Sequence, residues 1–259
     1  MLRFIGVLGI CILTMSFMAS HAEADPGSDA YRAGNYELAR TEWEKNAYSD
    51  PFAAYNLGIL YETGKGGAPD YKTAFKWYLE AANDARKDEL KTLKRQAVFA
   101  MGRITITNRD ADLISTTGSK LSTLAMKTGD PHALRLRGLL MEFQADHSIE
   151  NNIRNADNPM RFAYGLLRVA ADRGAPLAEE EAKRVFKKVN DKGRAKNNIN
   201  LVRDELQRNG VGLRQTKPKH KSTPKAPKVT KTKKPSGKKA QNHIDDPDNR
   251  SDIQHPEIE

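Results

Sequence analysis

Cysteine is nearly missing from this chain of 259 residues: the single one, Cys11, lies in the apolar stretch at the N-terminus. The residue before it is Ile10, where a lipoprotein leader needs a small side chain. If that stretch is removed, disulfides, thiolate zinc sites and cysteine nucleophiles go with it. A domain without such cross-links must be held by its core alone, which is feasible near two hundred residues but not for a tiny fold. β-branched alternation is scarce too, with "ITIT" at 104–107 its strongest instance, so no sheet is expected. No G-x-S-x-G elbow is present, no S-x-x-K motif stands out, and no serine has a neighbouring base that spacing can assign.

Histidine offers little more. Of six, His21 lies in the N-terminal stretch, and His220, His243 and His255 lie near the C-terminus. That leaves His132 and His147. His147 has Asp146 beside it and Glu150 three residues on, and a histidine and a carboxylate one turn apart on a helix can share a metal. An exposed histidine near a helix end is the simpler reading. No cofactor and no metal is expected.

Three zones divide what is present. Residues 1–24, "MLRFIGVLGICILTMSFMASHAEA", hold Arg3, an apolar run from Phe4 to Met18, and Ala22 and Ala24 around Glu23. This is the pattern of a cleaved export signal. The apolar run would span only about 22 Å as a helix, against a hydrocarbon core of about 30 Å. A periplasmic or secreted protein with no anchor after cleavage is expected. Residues 25–213 have helical character throughout. Residues 214–259 are rich in Lys, Pro, Ser and Thr, then acidic, and are expected to be disordered.

The formal net charge of +10 sits mainly in that tail: eleven Lys or Arg and no acid between Arg214 and Lys239, then six acids and one Arg from Asp245 onward. Lys217, Lys219, Lys221, Lys225 and Lys228, with Lys231, Lys233, Lys234, Lys238 and Lys239, form a flexible polycation able to attach to anionic lipid, acidic polysaccharide or nucleic acid. Aromatic residues that would stack on bases are absent from it. Nucleic acid is therefore the lesser expectation. The alternative is a solvated spacer whose acidic end folds back on the basic part.

The stretch "YETGKGGAPD" at 61–70 places glycines around Lys65 as a phosphate-binding loop might. Such a loop closes with Ser or Thr after the lysine, and Gly66 stands there instead. The flanks settle it as a turn. Before it, Ala54, Leu57, Gly58 and Tyr61 recur at three- and four-residue steps, and after it Ala74, Trp77, Tyr78 and Ala81 do the same. Gly58 and Ala74 remove bulk where two helices can approach. Gly64 suits a left-handed helix end and Asp70 a helix start. Lys65 then sits at an exposed hairpin tip with a solvated charge.

Two short helices cannot bury their own apolar face, so neighbours are required. Upstream, Ala39, Trp43 and Ala47 are placed like Ala74, Trp77 and Ala81, with Trp43 and Trp77 34 residues apart. Weaker copies lie around Gly102, around Gly138, and around Ala170, Ala171 and Gly174. About four degenerate units are expected, with the Trp43, Trp77 and Tyr78 stripe as inter-helix packing rather than a ligand shelf. The acidic run "AEEEAKR" at 178–184 reads as a helix start in which Lys183 and Arg184 pair with Glu179 and Glu180.

This pattern resembles the Sel-one-like repeat family, helical-hairpin relatives of the tetratricopeptide repeat. Ala53, Leu57, Gly58, Tyr61, Gly64, Gly66 and Asp70, followed by Ala74, Trp77, Tyr78, Ala81 and Ala82, fall on the family's motif positions. The match is specific over that one unit and softens downstream. The resemblance implies an all-α, right-handed α-solenoid whose concave groove binds a protein partner, and it supplies no catalytic motif. Some cysteine-rich secreted members of the family are linked to β-lactam binding or hydrolysis, and this chain lacks their paired cysteines. The expectation is a non-enzymatic adaptor in the cell envelope or outside the cell. A polyanion-binding protein acting through its tail is the alternative, and a hydrolase is third.

Overall fold

The computed structural model describes residues 25–84, 90–153 and 156–212. The chain divides into two units, 1–217 and 218–259. Residues 1–24 and all ten tail lysines fall outside the described residues. Regular structure among the described residues is helical, with no strand: α1 (Pro26–Arg32), α2 (Tyr36–Asn46), α3 (Pro51–Thr63), α4 (Tyr71–Asp84), α5 (Lys91–Thr107), a 3-10 turn (Ala111–Leu113), α6 (Ile114–Thr128), α7 (Pro131–Glu150), α8 (Asp157–Asp172), α9 (Ala178–Lys188) and α10 (Lys192–Arg208). No helix among them is long and apolar enough to cross a membrane.

Local chemistry sets the boundaries. Three helices start at an Asp-Pro pair, with the carboxylate of Asp25, Asp50 or Asp130 accepting hydrogen bonds from backbone amides of the first turn. Proline at the next position lacks an N–H where the helix has no partner for one. Gly64 and Gly129 end α3 and α6 at φ 65 and 64, in the left-handed region that other residues enter only at a cost. "ITIT" closes α5 as helix: Ile104 is buried, and the Thr105 hydroxyl lies 2.9 Å from both the Met101 carbonyl and the Thr117 hydroxyl. Its polar atoms are thereby satisfied inside the core.

Successive helices pack as hairpins, α1 with α2, α3 with α4, α5 with α6 and α7 with α8, and the second helix of each lies against the first helix of the next. One device recurs in all four. A glycine on the first helix lies beneath a large side chain of the second: Gly27 under Trp43, Gly58 under Tyr78, Gly102 under Leu121 and Gly138 under Leu167. A Cβ on Gly58 would stand 2.5 Å from the Tyr78 ring, and one on Gly138 would stand 2.8 Å from Leu167 Cγ. These glycines are the repeat's true register.

That register corrects the upstream copy by one residue. Ala39, Trp43 and Ala47 are all buried, and so are Ala74, Tyr78 and Ala82 at the same four-residue steps. The counterpart of Trp43 is therefore Tyr78 and not Trp77. The polar ends match as well: the Trp43 indole N–H donates to Asp25 at 2.9 Å, and the Tyr78 hydroxyl donates to Glu62 at 2.7 Å. Burial, then the Glu62 carboxylate, push the Tyr78 pKa far up, so the phenol keeps its proton.

The array changes at its C-terminal end. Both α9 and α10 pack on α8, with α10 reaching back to α6, yet α9 and α10 barely touch each other. Gly165 of α8 allows this, because a Cβ there would stand 2.8 Å from the backbone carbonyl oxygen of Asn198 on α10. Arg173 clamps the end, donating to the Gly129 carbonyl at 2.7 Å and the Gly212 carbonyl at 3.1 Å.

Ion pairs tie alternate helices together. Glu62 on α3 pairs with Arg103 on α5, and Arg135 on α7 pairs with Glu181 on α9. Glu142, only 6% exposed, takes both Arg184 and Lys188, and Lys188 also reaches Asp146 at 2.9 Å. Burial opposes the charge on Lys188, but its hydrogen bonds to Asp146 and Glu142 prevail and raise its pKa. The acidic run of α9 therefore behaves differently from the sequence expectation. Lys183 does pair with Glu180 within the helix, whereas Arg184 turns outward to Glu142.

Candidate interaction surface

The motif residues are consumed by packing. Ala53, Leu57, Gly58, Ala74, Tyr78, Ala81 and Ala82 are buried between α3, α4 and their neighbours. Tyr61, Gly64 and Trp77 are half-buried, while Gly66 and Asp70 are exposed in the turn. Asp70 caps α4 by accepting from the Thr73 amide and hydroxyl, and these bonds hold its pKa below the usual carboxylate value. Gly66, at φ 81, lets the turn lie on Tyr36, since a Cβ there would stand 3.0 Å from Tyr36 Cβ.

Lys65 is not the solvated charge that its place in the turn suggested. It is half-buried, donates to the Tyr31 hydroxyl at 2.6 Å, and its ammonium lies 4.5 Å from the Tyr31 ring centre and 5.6 Å from that of Tyr36. The cation seats the glycine turn of one hairpin on the aromatic residues of the preceding one. A partner requires the previous hairpin, which is why one repeat read alone could not show it.

The sketched metal site is dispersed. Asp146 goes to Lys188 and Glu150 to Arg109, and His147 Nδ1 lies 3.2 Å from the Asn151 amide. Among the described residues, no group of three His, Cys, Asp or Glu could hold a metal. A polar cleft between Pro69–Lys72 and Asn108–Asp112 contains Asp70, Asp110 and Asp112, of which Asp70 and Asp110 cap helical turns.

Among the outward side chains, several large apolar ones stand out. Tyr48, in the turn before α3, is 74% exposed, and Phe52, one residue into α3 from the Asp50-Pro51 start, is 54% exposed. Tyr48 lies 5.4 Å from Trp77, ring centre to ring centre. Trp77 is thus the half-buried back of an exposed aromatic patch, which corrects its assignment to inter-helix packing alone. An exposed aromatic pair of this kind, with a further exposed aromatic four residues away in sequence, is the sort of surface that contacts a partner. The sequence signal was "YSDPF", two aromatics bracketing a helix cap.

A second surface lies between α9 and α10, where the two helices diverge over α8. Tyr164, Phe186 and Ile199 form its floor, with Lys183 and Lys196 on its rims. The Tyr164 and Phe186 rings are 4.8 Å apart. Nothing in the repeat motif pointed to it.

Residues 51–84 match the family model of the Sel1 repeat. That span runs from the start of α3 to the end of α4, so the resemblance read from Ala53 to Ala82 is borne out over this unit. No curated protein and no solved structure matches the chain.

Proposed function

We propose that the chain is an exported, non-enzymatic adaptor that holds a protein partner on its helical repeat surface. The observation that carries this reading is the exposed Tyr48 ring packed on Trp77, with the exposed Phe52 four residues further on, at the edge of the hairpin that matches the Sel1 repeat. Repeats of this kind are protein-interaction modules, and here the motif itself is spent on packing, leaving the patch as the part free to contact something else. Export is supported by the leader pattern of residues 1–24, and attachment to an anionic envelope surface by the lysine run from Lys217 to Lys239.

The test is capture from envelope extract at high salt, with the chain as bait and bound proteins identified by mass spectrometry. Replacing Tyr48 and Phe52 together by Ala leaves the core intact, because both side chains are exposed. The double variant should lose the partner retained by the wild type. Retention of the same partner at the same yield would remove the patch from the account.

A further inference from the structure

We propose that the trough between α9 and α10 is a docking site for an acidic amphipathic helix of a partner protein. The inference rests on the reading of the repeat region as protein-binding and adds a second site with a defined chemistry.

Three observations converge. In the hairpins before it the second helix packs along the first, but α9 and α10 each pack on α8 and hardly on each other. Their separation is pinned at the apex, where the Lys192 ammonium caps the end of α9, donating to the Lys187 carbonyl at 3.1 Å and the Val189 carbonyl at 2.5 Å. The same ammonium lies 4.9 Å from the Phe186 ring centre. The trough therefore has built walls rather than a frayed end.

Its floor is apolar and its rims are basic. Tyr164, Phe186 and Ile199 are half-buried, each offering part of its surface to the opening. Lys183 stands on the α9 rim and Lys196 on the α10 rim, with the Arg168–Glu179 ion pair at the α8 side. Lys183 is paired with Glu180 at 3.1 Å, but the lining still carries three cations, Arg168, Lys183 and Lys196, against the one carboxylate of Glu179, a balance that fits a helix with an apolar stripe flanked by Asp or Glu. The depression holds about 340 Å³. It suits a few side chains of a docked helix better than an enclosed small molecule.

Nucleic acid fits the trough less well, because the ring faces of Tyr164 and Phe186 are turned toward each other and Glu179 would face a phosphate.

The experiment is fluorescence polarisation with the full chain and three labelled probes at physiological salt. One is a synthetic helical peptide with Leu at three- and four-residue steps flanked by Glu, the second carries Lys in place of Glu, and the third is a thymidine oligonucleotide. The comparison is between the wild type and a Lys196→Glu, Ile199→Ser variant, which retains the whole basic tail and whose helicity is checked by circular dichroism. The acidic peptide should bind the wild type and lose about tenfold or more in affinity to the variant, and the Lys peptide should not bind measurably. Equal affinity of the acidic peptide for both proteins, absence of binding, or an oligonucleotide weakened by the same variant would overturn the proposal. Capture of the envelope partner through Tyr48 and Phe52 is read separately, so an inert trough leaves that reading standing and a lost partner leaves the trough result intact.

Discussion

Replacing Gly58 by Ala sets two effects of opposite sign against each other. Helix propensity alone favours the change by about 1 kcal/mol, since glycine inside a helix costs backbone entropy. The structure opposes it. The new Cβ would stand 2.5, 2.6 and 2.9 Å from Cε1, Cδ1 and Cζ of Tyr78. Relief needs the ring to move by about 1 Å from so tight a contact, and the ring has little freedom. It is 1% exposed, tilted against Tyr55 at 5.3 Å, and tethered through its hydroxyl to Glu62, which pairs with Arg103 on the next hairpin. Overpacking of this kind costs about 1–3 kcal/mol, and the rigid environment argues for the upper part of that range. The net expectation is a loss of about 1–2 kcal/mol, a fall in Tm of about 3–6 °C for a region of this size. Thermal unfolding of the full chain followed at 222 nm reads it. The same substitution in a Tyr78→Leu background should lose its penalty and become neutral or stabilising, a coupling above about 1 kcal/mol. A higher Tm for Gly58→Ala in the wild-type background would mean that propensity wins and that the glycine-under-aromatic register is wrong.

Further outcomes follow from other sites. Gly165→Ala should cost more than Gly58→Ala, because its Cβ meets a backbone carbonyl of α10 that no side-chain rotation can move, and hydrogen exchange should show α10 opening first. Asp25 and Asp70 link stability to acid. Burial works against the charge on Asp25, but hydrogen bonds from Ser28, Trp43 and the Gly27 amide prevail and lower its pKa, and Asp70 is lowered by the Thr73 bonds. Both contribute stability that is present above the ordinary value of 3.8 and lost as pH falls through the lowered folded value. Asp70→Asn keeps the cap acceptor without titrating, so it should lose less stability than the wild type between about pH 5 and about pH 3 in urea titrations. An equal loss would contradict the assignment. Arg137 is the reverse case: its Nε donates to Ser122 at 2.8 Å, one terminal nitrogen is buried with no hydrogen-bond partner among the described residues, and burial lowers its pKa. Arg137→Met should be neutral or stabilising in the same titrations, and a loss of several kcal/mol would show that the guanidinium has a partner.

The single strong repeat was legible because its markers are local. Gly58, the Gly64 turn and the Asp70 cap all act within one hairpin, and three- to four-residue spacing reports which face they share. The one-residue misalignment of Trp43 arose from matching tryptophan to tryptophan, when the conserved geometry within the chain is a large ring over a glycine, served by indole in one hairpin and phenol in the next. Lys65 and Arg184 were misread for a related reason. Each has an obvious local role, solvent for one and an intrahelical glutamate for the other, and each instead meets a residue at least 34 positions away. Only the rotation of neighbouring helices decides such pairings. The trough was invisible in sequence because it comes from a failure to pack: Gly165 draws α10 onto α8, and nothing in the spacing of α9 records that it is left aside.

On the proposed function the helical repeats, and not the basic tail, hold the partner. The most direct test is the salt dependence of partner capture by the full chain, by a chain ending at Gly212, and by the Tyr48→Ala, Phe52→Ala variant. Capture at high salt that survives loss of the tail and disappears with the two aromatics is the result expected. Capture that vanishes with the tail and is indifferent to Tyr48 and Phe52 would contradict it and make the polycation the working site.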